Sequence, residues 1–205
     1  AQAAQAAPAV EKTGEVRFFV NVTGEDGAQL PIAPADMTIE EDGRPREVLR
    51  IEQATGPLQI ALLVDDSAAA QSANSDIRRG VREFIAKILD ASPETQIALI
   101  TFGERPTLLA DYTNNRVLLE RAANRIFSRP NSGAYMLEAI ASATRGAKKR
   151  GSDRGHIIVI GTEGVEFSND SYERVLDDLA ASRASLWALT LTSGPRASET
   201  DETRN

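Results

Sequence analysis

From residue 58 onward the chain alternates between two hydrophobic rhythms. Leu58 to Val64 is almost continuously apolar, the pattern of a strand buried on both faces. Beyond it, Ile77, Val81, Phe84, Ile85, Ile88 and Leu89 recur at the spacing of one buried helical stripe. Ser75-Asp76 opens that helix and Ser92-Pro93 ends it. The alternation then continues. Gln96 to Phe102 reads as a second strand, with Thr107 to Tyr112 close enough to be its antiparallel partner. Arg116 to Phe127 and Ala134 to Lys149 read as helices, His156 to Ile160 as a short apolar strand and Tyr172 to Arg183 as a further helix. Leu186 to Leu191 completes the series as a buried strand, with Trp187 expected in the core. Strands and helices in this order predict a three-layer α/β domain: a doubly wound, mostly parallel sheet with helices on both faces.

The preceding stretch, residues 15–53, has a different period. Val16, Phe18 and Val20 alternate with Arg17, Phe19 and Asn21, and Glu25-Asp26-Gly27 supplies a turn. Met37 to Glu40 and Val48 to Ile51 flank Asp42-Gly43-Arg44-Pro45, a hairpin signal because Gly tolerates positive φ. Thr55-Gly56-Pro57 punctuates the junction. The expected organisation is therefore a tail over 1–14, a β-rich extension over 15–55, the α/β domain over 56–193 and a polar tail over 194–205. Both tails are expected to be disordered.

Composition narrows the chemistry. The 205 residues carry Lys+Arg 23 against Asp+Glu 30, a net charge of -7, which disfavours a nucleic-acid partner. With Cys 0 and His156 the single histidine, thiolate sites, Cys/His zinc sites and a Cys nucleophile are excluded. His156 opens an apolar strand and reads as a strand-start residue rather than a triad base. No apolar run approaches the roughly 18 residues that span a bilayer. The opening Ala1 to Ala9, rich in Ala and Gln, resembles what remains after cleavage of a secretory signal, so export to the periplasm, cell surface or medium is expected. Lys148-Lys149-Arg150 falls at a helix C-terminus, where positive charge complements the helix dipole.

Chemistry, if present, belongs where Leu58 to Val64 stops at Asp65-Asp66-Ser67-Ala68-Ala69, because ligands of open α/β sheets bind beyond the carboxyl ends of the strands. Together with Ala98 to Phe102, Ser132 to Ile140 and Ile158 to Gly164, that junction resembles the von Willebrand factor A domain over about residues 58–192. The lead-in around Ile39 to Pro45 resembles exported bacterial relatives. The resemblance implies a site for Mg²⁺ or a similar ion, built from a D-x-S-x-S motif, a Thr and a later Asp, with an open vertex for a partner's acidic side chain. Asp65 and Ser67 match the first two motif positions. Ala69 replaces the second Ser, Ala134 falls where the Thr is expected, and Glu163 takes the place of the Asp.

A methyl group cannot coordinate a metal. Asp65, Ser67 and Glu163 thus form a weak or vestigial set that would hold Mg²⁺ or Ca²⁺ loosely at most, and no cofactor is expected. The reading is a non-catalytic protein-binding or assembly module, with partner contacts from Asp66, Ser72, Asn131, Ser132 and Glu163. Three rivals are a metal-dependent adhesion domain, a phosphoacceptor receiver domain with Asp111 as acceptor, and a hydrolase using Asp65 with Glu163 as its carboxylate pair. The receiver lacks its later Lys-Pro, and the hydrolase lacks a nucleophile, an oxyanion motif and a phosphate loop. No enzyme is expected.

Overall fold

A computed structural model describes residues 30–54, 56–151 and 154–192, together with Val16, Phe19, Val20, Val22, Gly24 and Glu25. The chain divides between residues 55 and 56 into two units. In the first, strand β1 (Ile39–Glu41) pairs antiparallel with β2 (Arg44–Arg46). Asp42 and Gly43 both take positive φ, 52° and 73°, the conformation that a two-residue turn matched to strand twist requires. The hairpin is therefore tighter than its apolar flanks suggest. The return strand begins immediately after Gly43, and Val48 to Ile51 lies outside any strand. The strand expected over 16–20 and both expected tails fall largely or wholly outside the described residues.

The second unit holds a five-stranded sheet. Its strands are β3 (Gln59–Val64), β4 (Gln96–Thr101), β5 (Thr107–Thr113), β6 (Gly155–Thr162) and β7 (Ser185–Leu191). They lie in the order β5-β4-β3-β6-β7, parallel except for β5. The helices are α1 (Asn74–Ala91), α2 (Arg116–Ala123), α3 (Met136–Arg150) and α4 (Tyr172–Ser182). Successive β3 residues point to opposite faces. Ile60, Leu62 and Val64 pack with Ile77, Val81, Ile85 and Leu89 of α1 and with Leu119 of α2. Ala61 and Leu63 pack with Ala139, Ile140 and Ala143 of α3 and with Val175 of α4. This is the expected three-layer architecture, with β3 as its fully buried centre.

Helix boundaries shift where caps override the apolar pattern. The Asn115 side chain accepts from the Leu118 amide and starts α2, which ends at Ala123, short of Phe127. Helix α3 begins at Met136, two residues after Ala134, because Ala134 is held in a parallel bridge to Glu166. At its other end Gly151 adopts φ 62° and donates its amide to Lys148 O, with Lys148, Lys149 and Arg150 in the last turn.

The expectation that Leu186 to Leu191 is buried is overturned. β7 is an edge strand exposed along nearly its whole length, and Trp187 is 52% exposed rather than in the core. Strand register puts Trp187 and Leu189 level with Ile158 and Ile160, and helices α1 and α2 cover the same face mainly over β3 and β4. An apolar sequence identifies a strand, but burial depends on a neighbour to cover it. The indole N–H of Trp187 donates to His156 Nδ1 at 3.3 Å. That bond requires the neutral imidazole.

Register also sets the functional edge. Val64 is level with both Thr101 of β4 and Ile160 of β6, so β3 and β4 end together at Asp65 and Phe102 while β6 runs on beside them to Thr162. The fold makes two predictions. Leu62→Ala should cost about 2–5 kcal/mol by denaturant unfolding, as in other close-packed cores, while Trp187→Ala costs under ~1 kcal/mol. Burial, and secondarily the charge of Arg154, lowers the His156 pKa from 6.5. The unfolded chain therefore binds this proton more readily, so stability is complete above pH 6.5 and falls as the pH drops below it. Unfolding midpoints on either side of pH 6.5 should show a smaller acid loss in His156→Gln than in the wild type.

Candidate functional site

Two consecutive carboxylates end β3, and both are buried. Asp65 is 0% exposed and Asp66 3%. Burying a charge is costly unless donors surround it, and here the donors come from four segments: the loops after β3 and β4, the stretch before α3 and the end of β6. Asp65 Oδ1 accepts the Ser67 amide at 2.8 Å. Its Oδ2 accepts the Thr162 amide at 3.0 Å and the Thr162 hydroxyl at 2.5 Å. Asp66 Oδ1 accepts the Gly103 amide at 2.6 Å. Its Oδ2 meets Arg129 Nε at 3.0 Å, and its main-chain oxygen accepts the Arg129 amide at 2.8 Å. The Arg129 guanidinium also reaches Glu104 at 3.1 Å. Its hydrogen bond to Asp66 raises the pKa of Arg129 above its ordinary value, so the guanidinium keeps its charge.

Glycine is obligatory at two of these crossings. A Cβ on Gly103 would lie 2.6 Å from Asp66 Oδ1 and from its carbonyl carbon. One on Gly133 would fall 1.9 Å from the Phe167 ring. That ring stacks on Tyr135 with centroids 6.3 Å apart. The loop after β6 thus lies across the start of α3. The Glu166 carboxylate accepts the Met136 amide at 3.1 Å, and the Ser168 hydroxyl accepts the Glu138 amide at 3.1 Å. These two side chains satisfy N-terminal amides of α3, whose own N-cap residue Tyr135 makes no such bond. Val165 and Phe167 are left 68% and 53% exposed.

The residues singled out from sequence separate into two groups. Asp65, Asp66 and Ser67 are interior. Asp66 in particular, expected among the partner contacts, has its carboxylate bound within the protein. Ser72 and Glu163 are exposed and, with Ala69, Ala73, Asp76, Thr162, Leu191 and Thr192, line a cavity of about 170 Å³. Asn131 is exposed at φ 61°. The Ser132 hydroxyl donates to Arg129 O at 2.8 Å, and its main-chain oxygen accepts the Ala68 amide at 3.3 Å. The sequence placed Arg129 and Phe167 only within the loops 128–134 and 163–169, and assigned no individual role to them, to Thr162 or to Gly103. Thr162 had a signal as the first hydroxyl after the apolar run of β6, whereas the Arg129 role depends on a contact 63 residues distant. Asp111 lies on the antiparallel edge strand β5 and pairs with Arg150 at 2.8 Å.

Comparison with known proteins agrees with this topology. A sequence model described as the von Willebrand factor type A domain matches residues 60–165. The chain belongs to the von Willebrand factor type A domain family. A von Willebrand factor type A structure from Catenulispora acidiphila superposes with a TM-score of 0.52 at 16% identity, covering 67% of this chain and 33% of that one. Proximal thread matrix protein 1 from the mussel byssus gives 0.54 at 16% identity, covering 67% and 38%. The von Willebrand factor domain of the type V pili tip protein Mfa5 from Porphyromonas gingivalis gives 0.49 at 17% identity, covering 59% and 44%. The chain thus spans less than half the length of each of these solved chains. No curated protein matches it.

Within this A domain, Ala69 and Ala134 put methyl groups at two of the positions where the family resemblance implies hydroxyl ligands. The Ala69 methyl lies only 2.9 Å from where a Cβ on Gly164 would be, so the loop after β6 closes directly onto it. Ser67 Oγ is buried without a hydrogen-bond partner. Among the described residues no three His, Cys, Asp or Glu side chains converge as metal ligands do.

The Asp66–Arg129 pair gives a direct test. Arg129→Ala leaves a buried carboxylate unpaired and should cost about 2 kcal/mol, below the ~3–5 of a fully buried pair because the guanidinium is partly exposed. Thr162→Val should cost about 1–3 kcal/mol through the lost donor to Asp65. Urea unfolding curves would measure both.

Proposed function

We propose that this A domain is a non-catalytic protein-binding module of an exported protein, and that it recognises its partner without a metal ion. The observation that carries the reading is the internal satisfaction of Asp65: both carboxylate oxygens are occupied by Ser67 and Thr162. A hard divalent ion needs about six oxygens in near-octahedral array. With methyl groups at 69 and 134 and Asp66 bonded to Arg129, the remaining donors do not fit one. The surface offered to a partner is the loop cluster around Ser72, Asn131, Ser132 and residues 163–169. No helix among the described residues is long and apolar enough to cross a membrane. A receiver-like role is disfavoured because Asp111 pairs with Arg150 on an edge strand, away from Asp65.

Calorimetric titration with Mg²⁺, Ca²⁺ and Mn²⁺ should give no saturable heat, and a chelator should leave the melting temperature unchanged. Saturable binding with a raised melting temperature would establish the metal-dependent adhesion reading instead. Ser67→Ala provides an independent check. It removes a buried hydroxyl that lacks a partner, so it should be neutral or stabilising by up to about 1 kcal/mol, whereas the loss of a metal ligand would destabilise the loaded protein.

A further inference from the structure

The cavity beside the β3 junction is lined by two carboxylates, Asp76 and Glu163, and lies next to the buried Asp65. Asp65 is fully buried and, among the described residues, its carboxylate is met only by an amide pair and a hydroxyl, with no cation in contact. Hydrogen bonds stabilise the anion without neutralising its field. Thr162, which holds Asp65 from one side, and Ala69, four residues after it, both line the 170 Å³ cavity. Asp65 itself does not reach the cavity; the carboxylates that line it are Asp76 and Glu163. Asp76 shares one oxygen with Arg79 at 2.8 Å, and Glu163 has no ion pair among the described residues. Ser67 Oγ, buried and unpartnered, lies beneath the adjoining loop, 4.0 Å from where a Cβ on Gly164 would be. Among the described residues Arg79 is the one cation paired with any of these acids.

The cavity's size and lining favour one kind of occupant. At 170 Å³ it is smaller than the roughly 300–1,000 Å³ of small-molecule sites, and of a size to take a single side chain. Its lining combines the apolar residues Ala69, Ala73 and Leu191 with the hydroxyl residues Ser72, Thr162 and Thr192. Such a lining accepts a long aliphatic stem that ends in donors, as in Arg or Lys. The same loop presents Val165 and Phe167 to solvent, apolar surface for residues flanking that side chain.

We propose that this cavity takes an Arg or Lys side chain of an extended partner segment. The partner's cation would then occupy the electrostatic role that a metal ion plays where the full ligand set is present, and the charge preference of the face would be reversed from acidic to basic. The inference rests on the metal-free binding reading and adds the chemistry of the partner.

Amide NMR titration of the full chain with two synthetic peptides, acetyl-Gly-Leu-Arg-Leu-Gly-amide and its Glu counterpart, tests it in chelator-containing buffer. The Arg peptide should give saturable shifts at Ala69, Ser72, Thr162 and Glu163 at concentrations up to about 1 mM, the weak end of specific affinities. Glu163→Gln and Asp76→Asn should each weaken it by about two- to fivefold, and added salt should weaken it further. The Glu peptide should leave these amides unmoved. Equal or tighter binding of the Glu peptide in chelator would overturn the charge preference while leaving the metal-free module intact. Binding of the Glu peptide that appears only on adding Mg²⁺ would overturn both. Silence from both peptides, or Arg-peptide shifts indifferent to the two substitutions, would also refute the cationic anchor.

Discussion

The burial of two adjacent carboxylates at the end of β3 constrains everything above the sheet. An interior carboxylate has to be met by donors, and β3 is the central strand, with no solvent access of its own. The loops after β4 and β6 and the segment before α3 therefore converge on Asp65 and Asp66. Each brings a donor: the Gly103 amide, the Thr162 amide and hydroxyl, and the Arg129 guanidinium. The close approach of Gly103 to Asp66 and the clasp of Glu166 and Ser168 on the start of α3 belong to the same arrangement.

That arrangement bears directly on how an A domain can work. Oxygens that accept hydrogen bonds from the protein are already satisfied, and recruiting them to an ion would mean breaking those bonds. In this chain the acidic junction holds the loops in place, and those loops expose Val165, Phe167, Glu163 and Ser72.

The opposite margin of the sheet shows what happens where no such packing exists. β7 has the composition of an interior strand yet, among the described residues, pairs only with β6, and its Trp187 and Leu189 are exposed. The Trp187–His156 hydrogen bond partly compensates by giving the indole N–H an acceptor. It also makes this margin sensitive to acid, because protonating the imidazole removes that acceptor.

Sequence by itself determined the alternation of strands and helices, the family, the buried stripe of α1 and the replacement of two hydroxyl ligands by Ala69 and Ala134. These are local or periodic properties, expressed within a few residues of one another. Tertiary structure alone decided that Asp66 is a scaffold residue, that Thr162 and Arg129 are the groups that satisfy the acids, and that β7 is exposed. Each of these depends on which distant segment lies against which, such as Asp66 against a residue 63 positions away. Hydrophobic spacing marks which face of an element is apolar. Whether another element covers that face, and which donor meets a buried charge, is settled only when the chain has folded.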